Sequence, residues 1–435
     1  MPNLSLADEP GCEVERTTVD RSAGDEWGVA MAYVIVGGGL AGAKAAETLR
    51  EEGFDGSVVL VSAEMEAPYE RPPLSKGYLL GNDERDSAFV HPEPWYAEHD
   101  VDLRLGTRAT AIDPAAHEVE LDGEERLAYD RLLVATGSVP RRLDVPGADL
   151  DGVLYLRELP DADRIRSVLR QGSRIVVVGA GWIGLEVASA ARHHGADVAV
   201  LEVADLPLQR VLGDEVATVF ADLHREHGVD LRLGTGIAEI RGDDGRVSSA
   251  ITSTGDELKA DAVVVGVGIR PAVELAEAAG LTLDDGVAVD AGLRTSAPDV
   301  FAAGDVAAVD HPRLGMRVRV EHWANALNGG PAAARSMLGQ EVSYDDLPYF
   351  FTDQYDLGME YIGHAPPGSY DRVVVRGDLA AREFQAFWLR ESRALAAMHV
   401  NLWDEGIDPL KALVASGRAL DSDRLANPEI PLDDV

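Results

Sequence analysis

Two glycine-rich turns constrain the fold of this chain more than any other feature. GGGLAG occupies residues 37–42 and GAGWIG occupies residues 179–184, and each follows a short apolar run and precedes a helical pattern. The glycines allow a tight turn in which backbone N–H groups approach a pyrophosphate at the start of a helix. An acid, Glu64 or Glu202, follows each turn about 20 residues later, where a carboxylate can bind ribose hydroxyls. The sequence therefore predicts two βαβ units that each bind a dinucleotide.

The second acid also indicates which nicotinamide nucleotide binds. A carboxylate at Glu202 would accept a hydrogen bond from a ribose 2′-hydroxyl and would repel a 2′-phosphate, so the sequence favours NADH. Arg210 follows Glu202 closely and could accommodate a phosphate. NADPH is therefore the second candidate for this site.

The cysteine content and the charge of the chain exclude several classes of protein. Cys12 is the single cysteine, so there is no CxxC pair and no cysteine-ligated metal site, and redox chemistry would need an organic cofactor or another metal. The net charge of −37 argues against nucleic acid and anionic membranes as partners. No apolar run has the length of a membrane span, and no secretory signal pattern opens the sequence, so we expect a cytoplasmic protein.

Some residues that suggest a site have simpler explanations. His224 and His227 in HREH have the spacing of a metal-binding pair, but no further ligand accompanies them, so we expect exposed histidines on a polar helix and no metal site. Trp388, Met398 and Trp403 fall in apolar C-terminal patterns, which predicts that they are core residues.

Three further motifs carry a resemblance to a known family. They are LLVATGSVPR around Thr136 and Gly137, VFAAGDVA around Gly304 and Asp305, and YERPPLSK at residues 69–76. Together with the two glycine turns they resemble the oxygenase-coupled, NADH-dependent ferredoxin reductases, to which apoptosis-inducing factor is related. The resemblance spans about residues 32–430.

The resemblance implies an α/β fold with two Rossmann-like dinucleotide-binding domains, the second inserted in the first, and a C-terminal α+β domain. The FAD-binding domain would comprise residues 31–145 and 273–346, the NAD-binding domain residues 146–272, and the C-terminal interface domain residues 347–435. Residues 1–30, which include Cys12, are acidic and without periodicity, and we expect them to form a disordered arm.

The resemblance also assigns residues to FAD. Gly39, Leu40 and Ala41 would line the pyrophosphate. Glu64 would bind the adenosine ribose, and Asp305 would bind the ribitol chain. The backbone of Ala109 would contact the adenine, and the backbone of Trp323 would lie near the flavin pyrimidine. The complete implied set is Gly37, Gly39, Leu40, Ala41, Gly42, Glu64, Arg71, Lys76, Ala109, Thr136, Gly137, Arg157, Asp305 and Trp323.

A second set is implied for NADH and for catalysis. The nucleotide would contact Gly179, Gly181, Ile183, Gly184, Glu202, Arg210 and Gly268. Lys76 and Glu186 would lie beside the flavin as the catalytic pair. There the ammonium group would stabilise negative charge on the reduced flavin, and the carboxylate would fix the position of the lysine.

The absence of cysteine from residues 69–81 separates this chain from the thiol-dependent branches of the same superfold. The resemblance then implies a flavoprotein that takes hydride from NADH and passes electrons singly to a ferredoxin or rubredoxin-like protein, as a monomer or homodimer. Phe350 and Phe351 stand where relatives often have a tryptophan. Two alternatives therefore stay open, namely a reductase of a small acceptor such as monodehydroascorbate or a quinone, and a redox switch of the apoptosis-inducing-factor kind.

A local group of arginines, Arg313, Arg317 and Arg319, stands out in an otherwise acidic chain. It has two interpretations, an acidic ferredoxin docking on it or ordinary surface arginines.

Overall fold

A computed structural model describes residues 31–435 of the chain. The predicted acidic arm, residues 1–30 with Cys12, lies outside the described residues. In the described part, no helix combines the length and the apolar character needed to cross a membrane.

The first glycine turn belongs to a five-stranded parallel sheet. Its strands, in spatial order, are Val300–Ala302, Arg131–Val134, Ala32–Val36, Ser57–Val61 and Val101–Arg104. The three central strands are mostly buried Val, Ile and Leu, as expected for a parallel sheet covered on both faces. Helices Leu40–Glu51 and Trp323–Met337 pack closely, and a Cβ atom on Gly330 would lie 2.3 Å from the Ala41 carbonyl oxygen.

The second glycine turn belongs to a second five-stranded parallel sheet. Its strands, in spatial order, are Asp230–Arg232, Asp197–Leu201, Arg174–Val178, Ala262–Val265 and Val153–Tyr155. Helices Leu159–Val168, Trp182–His193 and Gln209–Glu226 contribute buried faces to its core. The last of these is kinked at Gly213, whose φ of 75° is left-handed.

Four smaller sheets connect and flank the parallel sheets. They are formed by Ala109–Asp113, Glu118–Leu121 and Arg126–Ala128; by Ile237–Asp243, Arg246–Thr252 and Glu257–Lys259; by Ser138–Pro140 and Ile269–Pro271; and by Val287–Val289, Ala307–His311 and Met316–Arg319. Short helices occur at Gly77–Leu80, Glu93–Glu98 and Glu274–Ala278. A further turn of 3-10 helix, Pro72–Ser75, carries the PPLS motif.

The C-terminal part is an antiparallel sheet of five strands followed by helices Asp408–Ser416 and Ser422–Ala426. Its strands, in spatial order, are Tyr349–Gln354, Leu357–Gly363, Arg393–Val400, Glu383–Arg390 and Arg372–Asp378. Trp388 and Met398 are fully buried, which confirms their prediction as core residues. The same prediction for Trp403 is wrong: it lies in the turn beyond the strand, 54% exposed, with its ring edge-on to His399.

Candidate functional site

The first glycine turn is built by three glycines with different roles. Gly37 has a φ of 127°, and a Cβ atom there would lie 2.1 Å from the Ala135 carbonyl oxygen. A Cβ on Gly42 would lie 2.1 Å from the Gly37 carbonyl oxygen. A Cβ on Gly39, by contrast, would meet no atom of residues 31–435 within 4 Å. The outer glycines are therefore required by the backbone itself, and the middle one borders open space.

The second turn repeats this arrangement. A Cβ on Gly179, whose φ is 99°, would lie 2.4 Å from the Gly266 carbonyl oxygen, and one on Gly184 would lie 2.0 Å from that of Gly179. A Cβ on Gly181 would again have no neighbour within 4 Å in the described part of the chain. The two turns thus form two cradles, that is, glycine-lined anion sites with the same backbone geometry. They lie at the starts of helices Leu40–Glu51 and Trp182–His193, where N–H groups and the helix dipole favour an anion. The donor set fits a pyrophosphate in each.

The residues next to the middle glycines extend these cradles. Leu40 and Ala41 are the first residues of the first helix and are buried beneath the turn. Ile183, in the first turn of the second helix, is 42% exposed. Gly268 has a φ of 97° and follows the strand Ala262–Val265, so it lies at the carboxyl edge of the second sheet. That edge is where parallel sheets bind nucleotides.

Glu202 is fixed between the two turns that follow the central strands of the second sheet. Its Oε2 accepts a hydrogen bond of 2.7 Å from the Ala180 amide, and its Oε1 accepts one of 2.8 Å from the Ala204 amide. Arg210 lines an adjacent cleft of about 390 Å³ together with Val203. The structure therefore brings both predicted specificity residues to the same edge of the second sheet.

Glu64 has a different environment from Glu202. Its Oε1 lies 3.0 Å from Arg71 Nη2, and its Oε2 accepts a hydrogen bond of 2.5 Å from the Tyr69 hydroxyl. The Tyr69 hydroxyl in turn accepts a hydrogen bond from the Leu159 amide, which fixes the position of this hydroxyl beside Glu64. The structure brings Glu64 and Arg71 together as an ion pair, and the ribose role of Glu64 stays a prediction.

A second arginine completes this cluster. Arg71 Nη1 donates to the Arg157 carbonyl oxygen, and Arg157 Nη2 lies 3.1 Å from Asp305 Oδ2, which also accepts from Ser138. Burial, followed by the neighbouring Arg71, lowers the pKa of Arg157, and Asp305 offsets part of this effect. Arg157 Nε is buried without a hydrogen-bond partner among residues 31–435. Two guanidinium groups with one unused donor fit a bound anionic cofactor.

The remaining residues assigned to FAD lie around the first sheet. Thr136 Oγ1 donates to the Ala272 carbonyl oxygen at 2.7 Å, and Gly137 takes the left-handed φ of 68° that its turn requires. Ala109 begins a strand and is buried. Trp323 begins helix Trp323–Met337, and its Nε1 is buried with no partner in the described residues. An unsatisfied indole N–H at a helix start is consistent with a ligand group beside it.

His322 caps this same helix and was not predicted from the sequence. Burial lowers the pKa of His322 to about 4, so its imidazole is neutral near pH 7. Its Nδ1, like the Trp323 indole nitrogen, is buried and has no partner within residues 31–435. Its position inside EHWANAL, next to the assigned Trp323, is the signal that could have indicated it.

Lys76 and Glu186 meet where the two dinucleotide units join. Lys76 Nζ lies 2.8 Å from Glu186 Oε1, and the two side chains are 15% and 2% exposed. Glu186 also accepts hydrogen bonds from Ser75 Oγ and, at 2.6 Å, from Thr352 Oγ1. Phe351 places its ring 5.1 Å from Lys76 Nζ and edge-on to Trp323. The structure thus brings the predicted pair into contact, and adds Ser75 and Thr352, which sequence reasoning missed.

The prediction that His224 is exposed is wrong. Its imidazole has no exposed surface, because the strand Tyr349–Gln354 packs over this face of the helix and Gln354 bonds to it. His227, one turn further, is half-buried and stacks on Tyr355. Over residues 31–435, no group of three or more potential ligands among His, Cys, Asp and Glu could hold a metal ion.

The arginine group is locally neutralised. Arg313 pairs with Asp345 at 2.6 Å, and Arg317 and Arg319 pair with two neighbouring aspartates at 3.4 and 3.3 Å. These partners come from other segments of the chain, and they were not visible in the local sequence. The three arginines therefore do not form an unpaired basic patch. Only Arg313 is an ordinary surface arginine, since Arg317 is half-buried and the Arg319 side chain is 10% exposed.

Comparisons with known proteins agree with this geometry. Residues 31–330 match the family described as pyridine nucleotide-disulphide oxidoreductase, and residues 349–435 match the family described as reductase C-terminal. Rhodocoxin reductase from Rhodococcus erythropolis is 41% identical over 85% of this chain and 86% of its own length. The ferredoxin–NAD(+) reductase component of the anthranilate 1,2-dioxygenase system from Burkholderia cepacia is 42% identical over 92% of this chain and 98% of its own.

A solved structure is similar over the same range. The structure of the covalent putidaredoxin reductase–putidaredoxin complex superposes with a TM-score of 0.89 at 36% identity. The match covers 93% of this chain and 97% of the matched chain. The two parallel sheets and the C-terminal antiparallel sheet therefore form a known architecture.

Proposed function

Because the chain belongs to the pyridine nucleotide-disulphide oxidoreductase family, we propose that it is an FAD-dependent NADH reductase of a ferredoxin or rubredoxin-like iron–sulfur protein. The observation that carries this proposal is the buried ion pair of Lys76 and Glu186, which joins one dinucleotide unit to the other. Residues 31–435 contain no cysteine, so electrons would leave for the acceptor without a thiol relay. FAD, when bound, accepts hydride from NADH and releases electrons singly.

In this proposal, FAD and NADH bind to different parts of the chain. Residues 31–145 and 273–346 would hold FAD, with its pyrophosphate at Gly39 and its negative charge near Arg71 and Arg157. Residues 146–272 would hold NADH, with its pyrophosphate at Gly181 and its ribose at Glu202. Two cradles with the same open middle position support this division, because each leaves room for one pyrophosphate.

The C-terminal part, residues 347–435, would close the site where the two nucleotides meet. Phe351 shields Lys76 on one side, and Thr352 holds Glu186 on the other. A lysine ammonium fixed in this way presents its charge in a place with little water, where it stabilises developing negative charge more strongly than an exposed lysine could. The residues of this chain thus orient a charge and exclude solvent.

The proposal also covers the electron acceptor, the cellular location, the oligomeric state and the second nucleotide. Several relatives are named as ferredoxin reductase components of oxygenase systems, which supports an iron–sulfur electron carrier as the partner here. We place the protein in the cytoplasm, where NADH is available, as a monomer or homodimer. NADPH is the second nucleotide of the proposal because Arg210 lies in the cleft beside Glu202.

Steady-state assays with a panel of acceptors test this function. The purified, FAD-loaded chain is mixed anaerobically with NADH and with ferredoxins and rubredoxins of the same host, a soluble quinone, monodehydroascorbate, or ferricyanide. The proposal expects rapid reduction of at least one iron–sulfur protein. Turnover with ferricyanide or a quinone but with none of the iron–sulfur proteins would refute it in favour of a small-molecule acceptor. Slow reduction with a long-lived charge-transfer band and dimerisation would instead indicate a redox switch.

A further inference from the structure

A chain of buried side chains leads away from Glu186. Thr352 Oγ1 donates to Glu186 Oε1 at 2.6 Å, and Gln354 Nε2 donates to Thr352 Oγ1 at 3.1 Å. His224 Nε2 lies 2.9 Å from Gln354 Oε1. None of these four side chains is more than 2% exposed. They come from two helices and the first strand of the C-terminal sheet, so the chain crosses between parts of the molecule.

Hydrogen-bond chemistry gives this chain one direction. An ionised Glu186 can only accept, so the single hydroxyl proton of Thr352 points to it. Thr352 then has only lone pairs left, and Gln354 must turn its amide N–H toward Thr352 and its carbonyl oxygen toward His224. That oxygen only accepts, so His224 carries its proton on Nε2.

The far end of the chain is consistent with this tautomer. Burial lowers the pKa of His224 to about 4, so the imidazole is neutral near pH 7 and has one N–H. The Tyr355 hydroxyl lies 3.4 Å from His224 Nδ1, the nitrogen that the direction of the chain leaves as an acceptor. Burial raises the pKa of Tyr355, so its hydroxyl keeps the proton that it would donate. Each member therefore donates toward Glu186.

We propose that Thr352, Gln354 and His224 are positioning residues that hold the Glu186 carboxylate ionised and turned toward Lys76. The inference rests on the proposed function, in which that pair is the catalytic pair. Aligned donors in a dry interior polarise one another and stabilise a buried charge at the end of their chain. The C-terminal sheet thereby contributes to the proposed hydride-transfer site through its contact with Glu186.

The protonation of other ionisable groups near Glu186 must be distinguished from the protonation of Glu186 itself. Lys76 faces it from the segment after the PPLS turn, and His224 lies at the far end of the chain. Asp353, on the same strand as Thr352, interacts with both Lys76 and Glu186, and burial raises its pKa. Glu360, on the neighbouring strand, interacts with Asp353 and bonds to His399. Asp353 is the group most easily mistaken for Glu186, so the experiment is repeated in an Asp353→Asn background.

Infrared difference spectroscopy on the oxidised, FAD-loaded full chain tests the proposal without turnover. The carbonyl band of a protonated carboxyl is followed against pH and assigned to Glu186 by its loss in Glu186→Gln. In Thr352→Val the band should appear at a pH about one to two units higher, because a hydrogen bond to a buried charge is lost. Thr352→Ser keeps the hydroxyl and should restore the original behaviour.

Two more variants complete the design. His224→Phe acts from the far end without touching Glu186, and should shift the band in the same direction by a smaller amount. Thr252→Val is the matched control. Thr252 is 1% exposed, and its hydroxyl group bonds to Thr254 and Asp256, which do not belong to the hydrogen-bonded series that ends at Glu186. An unchanged band in Thr352→Val, or an equal shift in Thr252→Val, would overturn the proposal. Because the measurement needs neither NADH nor an acceptor, its failure is distinguishable from failure of the proposed function.

Discussion

Replacing Gly181 with alanine tests which glycine turn holds which nucleotide. Gly181 has a φ of −79°, which alanine adopts freely, and its added Cβ would meet no described atom within 4 Å. The free energy of unfolding should therefore change by less than about 1 kcal/mol, in the stabilising direction. The protein should fold and stay yellow, because FAD is assigned to the other turn.

The effect on NADH should be large. The added methyl group enters the open space at the start of helix Trp182–His193, where the NADH pyrophosphate is proposed to lie. Forcing a methyl into a filled site costs about 1–3 kcal/mol, which corresponds to an increase in Kd of about fivefold to a hundredfold. The expected result is thus a selective loss of NADH affinity in a stable, FAD-loaded protein.

Three measurements check this on purified protein, namely FAD content from visible absorbance, NADH affinity by titration, and stability by urea unfolding. Gly184→Ala is a control from the same turn, since its Cβ would lie 2.0 Å from the Gly179 carbonyl oxygen and should destabilise the fold. Gly39→Ala is the mirror experiment, and should lower FAD content instead. The assignment is refuted if Gly181→Ala loses FAD and binds NADH with unchanged Kd.

Three other predictions follow from the site. Lys76→Met leaves the Glu186 carboxylate buried without its cation and should lower the free energy of unfolding by about 3 kcal/mol. When Glu186→Gln is combined with Lys76→Met, the double variant should regain more than about 0.5 kcal/mol of the lost free energy of unfolding. Urea unfolding of the two single variants and the double variant measures this coupling. Additive effects would show that the pair is uncoupled. Glu202→Gln removes the charge that opposes a 2′-phosphate, so the NADPH/NADH ratio of kcat/KM should rise at least about tenfold, and an unchanged ratio would contradict the ribose role. His224 takes up a proton near pH 6.5 when unfolded but only near pH 4 when buried, so urea unfolding should show a stability loss approaching about 3 kcal/mol as pH falls through that window. His224→Phe should make this part of the profile less steep without flattening it, because burial lowers the pKa of His322 to about 4 as well. An unchanged slope would show that His224 does not contribute.

The glycine turns could be predicted because their geometry is local. Each needs a strand, three glycines and a helix in unbroken succession, and the apolar runs before the two turns are the strands Ala32–Val36 and Arg174–Val178 in the structure. Lys76 and Glu186 came from the resemblance rather than from spacing. Their contact depends on the packing of the turn Pro72–Ser75 against helix Trp182–His193, and no short window of sequence contains both.

The buried position of His224 had a sequence signal that was missed. Val216 and Phe220 precede it at intervals of four residues, which places all three on one face of the helix beyond the kink at Gly213. The two apolar residues are fully buried, and His224 continues their stripe. The polar neighbours in HREH obscured the pattern. Its partner Gln354 carried no such signal, because Gln354 reaches His224 only through the packing of the C-terminal sheet.

Trp403 and the arginine group show two further limits of local sequence. Trp403 has the residue type of a core position, but the strand Arg393–Val400 ends before it. Arg313 and its neighbours look like unpaired positive charge until the fold brings aspartates to them. Residue type alone therefore misjudged the exposure of Trp403 and could not decide between the two interpretations of the arginine group.

The most direct test of the central claim is the electron stoichiometry of a single turnover. The FAD-loaded chain is mixed anaerobically with a limited amount of NADH and an excess of the ferredoxin that turns over fastest, and both species are followed by absorbance. Two reduced ferredoxins are expected for each NADH consumed, because a hydride carries two electrons and the carrier accepts one. Consumption of NADH without reduced ferredoxin, or no reduction of the flavin at all, would contradict it.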